Sequence, residues 1–168
     1  MIPSDHYQFP NAKLRAAALS DTLIEQPLVP PAKALDYKMG GAYSVLISHY
    51  KGDILVQGSA GFVPNALDNI QADVLFLGVG GVAGQTDPYQ QAYWQHIVTA
   101  TQPKQVFPIH FDSLTDALEE KPIMPNLLVS KVLKTEAAGG IQYARSRAEK
   151  HNIQFNLLPM WTNVVLFH

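Results

Sequence analysis

The 168-residue chain contains no cysteine, so disulfide bonds and thiolate metal sites are excluded, and a reducing compartment fits this composition. Charged residues make up only 15% of the chain, the net charge is -2, and no basic run occurs. This makes nucleic acid and anionic membranes unfavourable partners. No apolar run approaches the roughly 20 residues that span a bilayer, and the first residues lack the basic start and apolar core of a signal peptide. We expect a cytoplasmic protein with a single domain over residues 1–168.

Apolar residues are plentiful at 47%, and they occur in runs of strand length. Three such runs end in glycine or a polar residue, and the two segments between them read as helices, which predicts an α/β fold with a largely parallel sheet. The runs are Asp53–Phe62, Asp73–Gly81 and Gln105–Asp112, and the helical segments are Pro64–Ile70 and Pro88–Ala100. Ligand chemistry in such sheets gathers beyond the carboxyl ends of the strands. These ends carry Ser59, the glycines of 78–84, and His110 with Asp112.

The flanking segments predict further elements. Residues 1–40 contain Pro27, Pro30 and Pro31 and are expected to form an irregular arm or lid, apart from one short helix. A hairpin precedes the central runs, Asp87 is expected to cap the helix from Pro88, and Gly139-Gly140 is expected to interrupt the chain before the last helix. The predicted ranges are Asn11–Leu19 (helix), Tyr43–His49 and Ile54–Gln57 (hairpin), Asn126–Lys134 (helical turns), Ile141–His151 (helix), and Ile153–Leu158 and Asn163–Phe167 (closing strands).

Three polar positions stand out as candidates for chemistry: His6, Ser59 and His110. A histidine at a strand end, such as His110, is either a metal ligand or a hydrogen-bonded structural residue. The other histidines favour surface positions. Residues 78–84 also fit the looser dinucleotide-binding pattern. Against that interpretation, the helix begins only near Pro88, and no acidic residue occurs at 98–104 to contact a ribose. A tight turn that approaches a neighbour is the simpler interpretation.

Three segments resemble the C-terminal half of metallo-β-lactamase-fold hydrolases: Ile54–Pro64, Ala72–Gly78 and Val106–Asp112. The resemblance implies half of an αββα sandwich, a mixed sheet with helices on one face. It makes His6 the counterpart of the family's single mid-chain histidine and His110 that of its final histidine. Ser59 stands where the family has a metal-bridging aspartate. Asp112 and Asp5 would lie behind the ligands, and Asp112 could equally cap a helix from Ser113. The implied cofactor is a divalent metal, zinc or manganese.

The departures from that family are equally clear. The chain contains no His-x-His-x-Asp-His motif, which supplies most of the family's ligands. Ser59 is neutral and cannot replace a bridging carboxylate. The resemblance implies hydrolysis of a small-molecule ester, amide or phosphoester by metal-activated water. We expect this chain alone to be incomplete, inactive and without tightly held metal.

Two alternatives stay open: a non-catalytic half-fold that serves binding or assembly, and a dinucleotide-binding domain built on Gly78–Gly84. A lone half-sandwich also leaves an apolar sheet face uncovered. We therefore expect the missing N-terminal half, a homodimer, or the first 40 residues to cover that face.

Overall fold

The computed structural model describes residues 1–9, 11–19, 24–33, 36–112 and 137–167. These residues form an α/β fold with one mixed six-stranded sheet. The helix that begins at Asp87 continues through a π-helical stretch, Trp94–Thr99, and a short 3-10 turn, Val82–Gly84, precedes it. In chain order the elements are β1 Ile2–Ser4, α1 Ala12–Ala18, β2 Ala42–His49, β3 Gly52–Gln57, β4 Val74–Gly78, α2 Asp87–Tyr93, β5 Gln105–Ile109, α3 Ala137–Lys150 and β6 Gln154–Phe155.

The six strands lie side by side in their chain order. Strand β2 runs antiparallel to both β1 and β3, while β3, β4, β5 and β6 pair in parallel. Strand β1 therefore points the same way as β3, β4 and β5. The loops that follow these four strands, at residues 5–8, 58–61, 79–81 and 110–112, leave the sheet at one edge, which we call the carboxyl edge.

The two faces of the sheet differ in what covers them. Leu55, Leu75 and Val106 are aligned in register on one face, and they belong to the main hydrophobic cluster. That cluster also contains residues of both long helices, so α2, its π-helical continuation and α3 cover this face, which we call the helix face. Their contributions are Tyr93, Trp94, Ile97, Val98, Tyr143, Ala144 and Ala148. Apolar residues recur at helical spacing in the predicted helix from Pro88, at Tyr89, Tyr93, Ile97 and Ala100, and all four pack in or against this cluster.

The opposite face carries Tyr43, Val45, Ile47, Ile54, Val56, Val74, Phe76 and Phe107, by the alternation of side chains along each strand. Val74 and Phe107 are buried but lie outside the main cluster. Tyr43 and Ile47 are each 48% exposed. This face is apolar, and it lies opposite the face on which α2 and α3 pack.

The terminal segments do not behave as predicted. Residues 2–9 do not lie over the opposite face, because β1 extends the sheet and Tyr7 is buried in the cluster on the helix face. The C-terminal residues approach the opposite face instead: the Gln105 side chain donates a hydrogen bond to the Leu166 carbonyl at 2.7 Å. The ring of Phe167 fills the space beside Gly52.

Several predicted elements are corrected. Residues 64–69 form turns and no helix, because Asn65 adopts a left-handed φ of 63° that a helix cannot contain. Residues 163–167 pair with no described strand, and β6 is only two residues long. Gly140 lies inside α3 and does not interrupt it. The N-cap of α2 is Thr86 rather than Asp87, with no side-chain cap. The segment 126–134 lies outside the described residues.

Most of the central predictions are confirmed: the hairpin, the strands beginning near 74 and 105, and the helices near 12, 87 and 141. Among the described helices, none combines the length and the apolar character that crossing a bilayer requires.

Candidate functional site

The carboxyl edge brings His6, Ser59 and His110 to neighbouring loops. The backbone N–H of Tyr7 donates a hydrogen bond to the Ser59 hydroxyl oxygen at 2.8 Å, which joins the loop after β1 to the loop after β3. The loop after β4 reaches His110, since Gly80 lies against both its backbone and its ring. The sequence predicted strand ends at Ser59 and His110, and His6 joins them because β1, which the sequence did not predict, ends at the same edge.

Glycines allow these loops to meet. A Cβ atom on Gly61 would overlap the carbonyl oxygens of Asp5 and His6, and one on Gly80 would overlap the His110 carbonyl. Gly81 has a left-handed φ of 78° and lies against the Tyr7 ring. The space beside Gly80 and Gly81, which a dinucleotide pyrophosphate would need, is occupied by protein. This geometry supports the tight-turn interpretation of the glycine segment.

Gln57 holds the loop after β3 in place, and sequence reasoning missed it. Its side chain is 1% exposed, and its amide nitrogen donates to the carbonyls of Ser59 and Gly61, each at 2.8 Å. The same nitrogen lies 3.0 Å from the Ser4 hydroxyl, and its oxygen accepts from the Ser44 hydroxyl. A single amide in the otherwise apolar run 54–57 was the available signal, because buried polar groups need partners.

Two tyrosines from α2 support the same loops. Tyr93 donates from its hydroxyl to the Gly78 carbonyl at 2.7 Å, and Tyr89 donates to the Ala60 carbonyl at 2.9 Å. Burial raises the pKa of Tyr93 and raises that of Tyr89 to about 12, with nearby Asp5 contributing to the Tyr89 pKa. Both phenols therefore stay protonated and act as hydrogen-bond donors near neutral pH.

His6 is half-buried, and its ring is oriented by its neighbour. The Nδ1 atom lies 2.9 Å from the Tyr7 carbonyl oxygen, which can only accept, so in the neutral ring Nδ1 carries the proton and Nε2 keeps its lone pair. A backbone carbonyl that fixes the tautomer in this way is typical of histidine metal ligands. The Asp5 carboxylate accepts from the His6 backbone N–H at 2.8 Å and, among the described residues, has no hydrogen bond to an imidazole.

His110 adopts a left-handed backbone with φ 57° at the end of β5. Within the described ranges, neither of its ring nitrogens has a hydrogen-bond partner. The residue keeps part of its surface in solvent, so its desolvation is incomplete. Even so, this partial burial lowers the pKa of His110, nearby His6 lowers it further, and Asp112 raises it.

Asp112 is exposed, and it influences His110 through charge rather than through a hydrogen bond within the described part of the chain. The alternative role of Asp112 as a cap for a helix from Ser113 lies outside the described residues. Ser59 uses its hydroxyl oxygen to accept the Tyr7 N–H, which is a structural task. Neither residue adds a carboxylate ligand beside the imidazoles.

The donor set does not fit a complete metal site. Among residues 1–9, 11–19, 24–33, 36–112 and 137–167, no group of three or more histidine, cysteine, aspartate or glutamate side chains could hold a metal ion. A catalytic zinc normally has three protein ligands and one water. The two imidazoles of His6 and His110 therefore form at most part of such a site.

Comparisons with protein-family models, with curated proteins and with solved structures give no significant match to this chain. The function has to be inferred from the carboxyl edge itself.

Proposed function

We propose that this chain is the C-terminal half of a metal-dependent hydrolase of the metallo-β-lactamase type, with His6 and His110 as two ligands of its metal centre. The observation that carries the proposal is the arrangement of these imidazoles at the carboxyl edge. The Nδ1 proton of His6 is committed to the Tyr7 carbonyl, and the ring of His110 is left without a protein partner within the described residues.

The backbone of His110 adds support. A left-handed conformation costs a residue other than glycine about 1 kcal/mol or more, and such costs concentrate at functional sites. A Cβ on Gly80 would overlap the His110 carbonyl and crowd its ring, so the loop after β4 is adapted to the backbone position of His110. Its lowered pKa also favours the neutral ring that metal ligation needs.

The helix face and the opposite face are consistent with half of a sandwich. Helices α2 and α3 cover one side of the sheet, and the other side exposes Tyr43 and Ile47. In the proposed whole, a second sheet packs against this face and brings the missing ligands to the carboxyl edge. A small-molecule ester, amide or phosphoester is the proposed substrate class.

Zinc titration tests the ligand assignment. In a competition assay with a chromophoric chelator, we expect the chain to bind zinc only weakly, because two imidazoles are fewer ligands than structural or catalytic sites use. Replacing His6 or His110 with Ala should weaken this binding by about tenfold or more. His49→Ala is the matched control, since His49 lies in the β2–β3 hairpin away from the carboxyl edge, and it should leave zinc binding unchanged.

Two results would count against the proposal. Equal zinc affinities of wild type, His6→Ala and His110→Ala would show that neither histidine is a zinc ligand. About one tightly held zinc or manganese per purified chain would show that the site is complete without a second half.

A non-catalytic half-fold is the second candidate, and one observation favours it. Ser59 replaces the bridging carboxylate and is used to hold the Tyr7 backbone, so the edge is built as a structural junction. A longer reading frame that encodes His-x-His-x-Asp-His before Met1 would favour the hydrolase. Stable association with another protein in the absence of any zinc affinity would favour the module.

A further inference from the structure

A cavity of about 360 Å³ adjoins the carboxyl edge between the loop after β1 and helix α1. Asp5, Gln8 and Arg15 supply its polar side, and Ala16, Leu19 and Met39 supply apolar contacts. This volume is within the range of small-molecule sites. Asp5 directly precedes His6, so the cavity adjoins the loop that carries one of the two imidazoles.

Arg15 is the cationic group of the cavity. Its Nη1 atom donates to the Gln8 side-chain oxygen at 3.5 Å, which is a long contact. Among the described residues the only ion pair is that between Lys104 and Asp73, so Arg15 has no carboxylate partner there. An arginine with unused donors is the residue best suited to bind a planar carboxylate through two parallel hydrogen bonds.

The Gln8 side chain lies between the two charged side chains of the cavity, Asp5 and Arg15, and contacts both. Its amide nitrogen lies 3.4 Å from the Asp5 carboxylate, and its amide oxygen accepts from Arg15. Its own backbone carbonyl accepts from the Gln85 side chain at 2.7 Å, which fixes it to the loop before α2. Because the Asp5 carboxylate also lines the cavity and repels anions, the cavity favours a singly charged anion over a doubly charged one.

We propose that this cavity binds the carboxylate of a small organic acid with an aliphatic body. Arg15 holds the carboxylate, and Leu19 and Met39 contact the chain. The substrate class, unlike carboxylate binding, rests on the proposed function. The substrate of the proposed hydrolase is then an ester or amide that also carries a free carboxylate. Binding itself requires no metal.

Hexanoate is the probe. Followed by amide chemical shifts in NMR with EDTA present, it should bind saturably and perturb residues 5–19. Arg15→Gln should weaken binding by about tenfold or more, because the charged donors are lost. Lys13→Gln is the matched control: it removes the same charge from the same helix at a residue that does not line the cavity, and binding should change by less than about twofold.

The charge preference is tested with two analogues of equal chain length. Neutral hexanamide and doubly charged hexyl phosphate should both bind more weakly than hexanoate by about threefold or more. Asp5→Asn should narrow the difference between hexanoate and hexyl phosphate. The inference is overturned if hexanoate does not saturate, if Arg15→Gln binds it as wild type does, or if hexanamide binds equally well.

Hexanoate binding and zinc binding can each fail without the other, so the two experiments test the two proposals separately. Arginine-dependent hexanoate binding without histidine-dependent zinc binding would leave a carboxylate site and remove the hydrolase. The reverse result would leave the proposed hydrolase and remove this substrate class.

Discussion

At the residue scale, individual polar side chains hold the carboxyl edge together. The Gln57 amide contacts four groups from three segments of the chain, and Ser59 accepts the Tyr7 N–H. These side chains form hydrogen bonds with buried or half-buried backbone groups. Leaving such a group without a partner would cost more free energy than one hydrogen bond contributes on balance. His110 differs from them, because its ring has no such role within the described residues.

Replacing His110 with Asn should make stability less dependent on pH. The folded-state pKa of His110 lies below its usual 6.5, so the unfolded state binds the proton more readily. The contribution of His110 to the free energy of unfolding is therefore fully present above its unfolded-state pKa, and it is lost as the pH falls through its folded-state pKa. Asn has no proton to gain in this range and tolerates the left-handed backbone. Urea unfolding between about pH 5 and 8 should show a smaller acid-side loss for His110→Asn than for wild type.

His49→Asn serves as the control for this measurement. His49 is exposed in the hairpin, so this variant should follow the wild-type pH dependence. An acid-side loss in His110→Asn as large as that in wild type would refute the assignment.

At the element scale, close approach of backbones decides how the loops and helices are arranged. Gly61 and Gly80 let the loops of the carboxyl edge touch, and Gly140 lets α3 touch the loop after β4 at the Val79 carbonyl. A pair of glycines is normally a helix breaker, which explains why the sequence predicts an interruption at 139–140. In the fold, helix α3 contains Gly140 because a larger residue would collide with Val79.

Gly61→Ala should destabilise the protein, whereas Gly58→Ala should not. A Cβ on Gly61 meets backbone atoms of Asp5 and His6, and backbone cannot move aside as a flexible side chain can. We expect a loss of about 1–3 kcal/mol in the free energy of unfolding. Gly58 belongs to the same loop and has open space at this position, so its change should stay within about 0.5 kcal/mol. Equal stabilities of the two variants in urea unfolding would contradict the contact.

At the scale of the whole molecule, the sheet has helices on one face and an apolar opposite face. Strand β1 extends the sheet and Tyr7 is buried in the cluster on the helix face, so residues 2–9 do not cover the opposite face. A homodimer, a separate N-terminal half and the remainder of the first 40 residues stay predictions for its covering. The C-terminal residues around Leu166 and Phe167 contact part of the opposite face near Gln105 and Gly52. Tyr43 and Ile47 are left exposed on β2.

Ile47→Glu should weaken self-association of the isolated chain. Sedimentation equilibrium should give a dimer for wild type. The dissociation constant of the variant should be at least about tenfold larger, because the introduced carboxylate would be buried in an apolar interface. Tyr50→Glu is the control, since Tyr50 is 87% exposed at the hairpin turn beyond the strand positions that form this face. A wild-type chain that stays monomeric at every concentration would contradict the homodimer as the covering of this face.

The predictions that succeeded concern features visible within short windows. Strands β2 to β5 follow from apolar runs bounded by glycine or polar residues, and α2 follows from its helical apolar stripe, because side-chain periodicity is a local property. The positions of Ser59 and His110 at strand ends follow from the same runs. Pro64–Ile70 failed because one left-handed residue, Asn65, outweighs a helix-compatible pattern.

The sequence by itself determined the α/β class, the central strands and the positions of Ser59 and His110 at strand ends. Only the tertiary structure decided that residues 2–4 form a strand, that Gln57 holds the loop after β3, and that Gly61, Gly80 and Gly140 are contact points. These features join residues distant in the chain, as the separation of 53 positions from Ser4 to Gln57 illustrates. A local pattern cannot specify such a contact, because its energy depends on which atoms the whole fold brings to the same place.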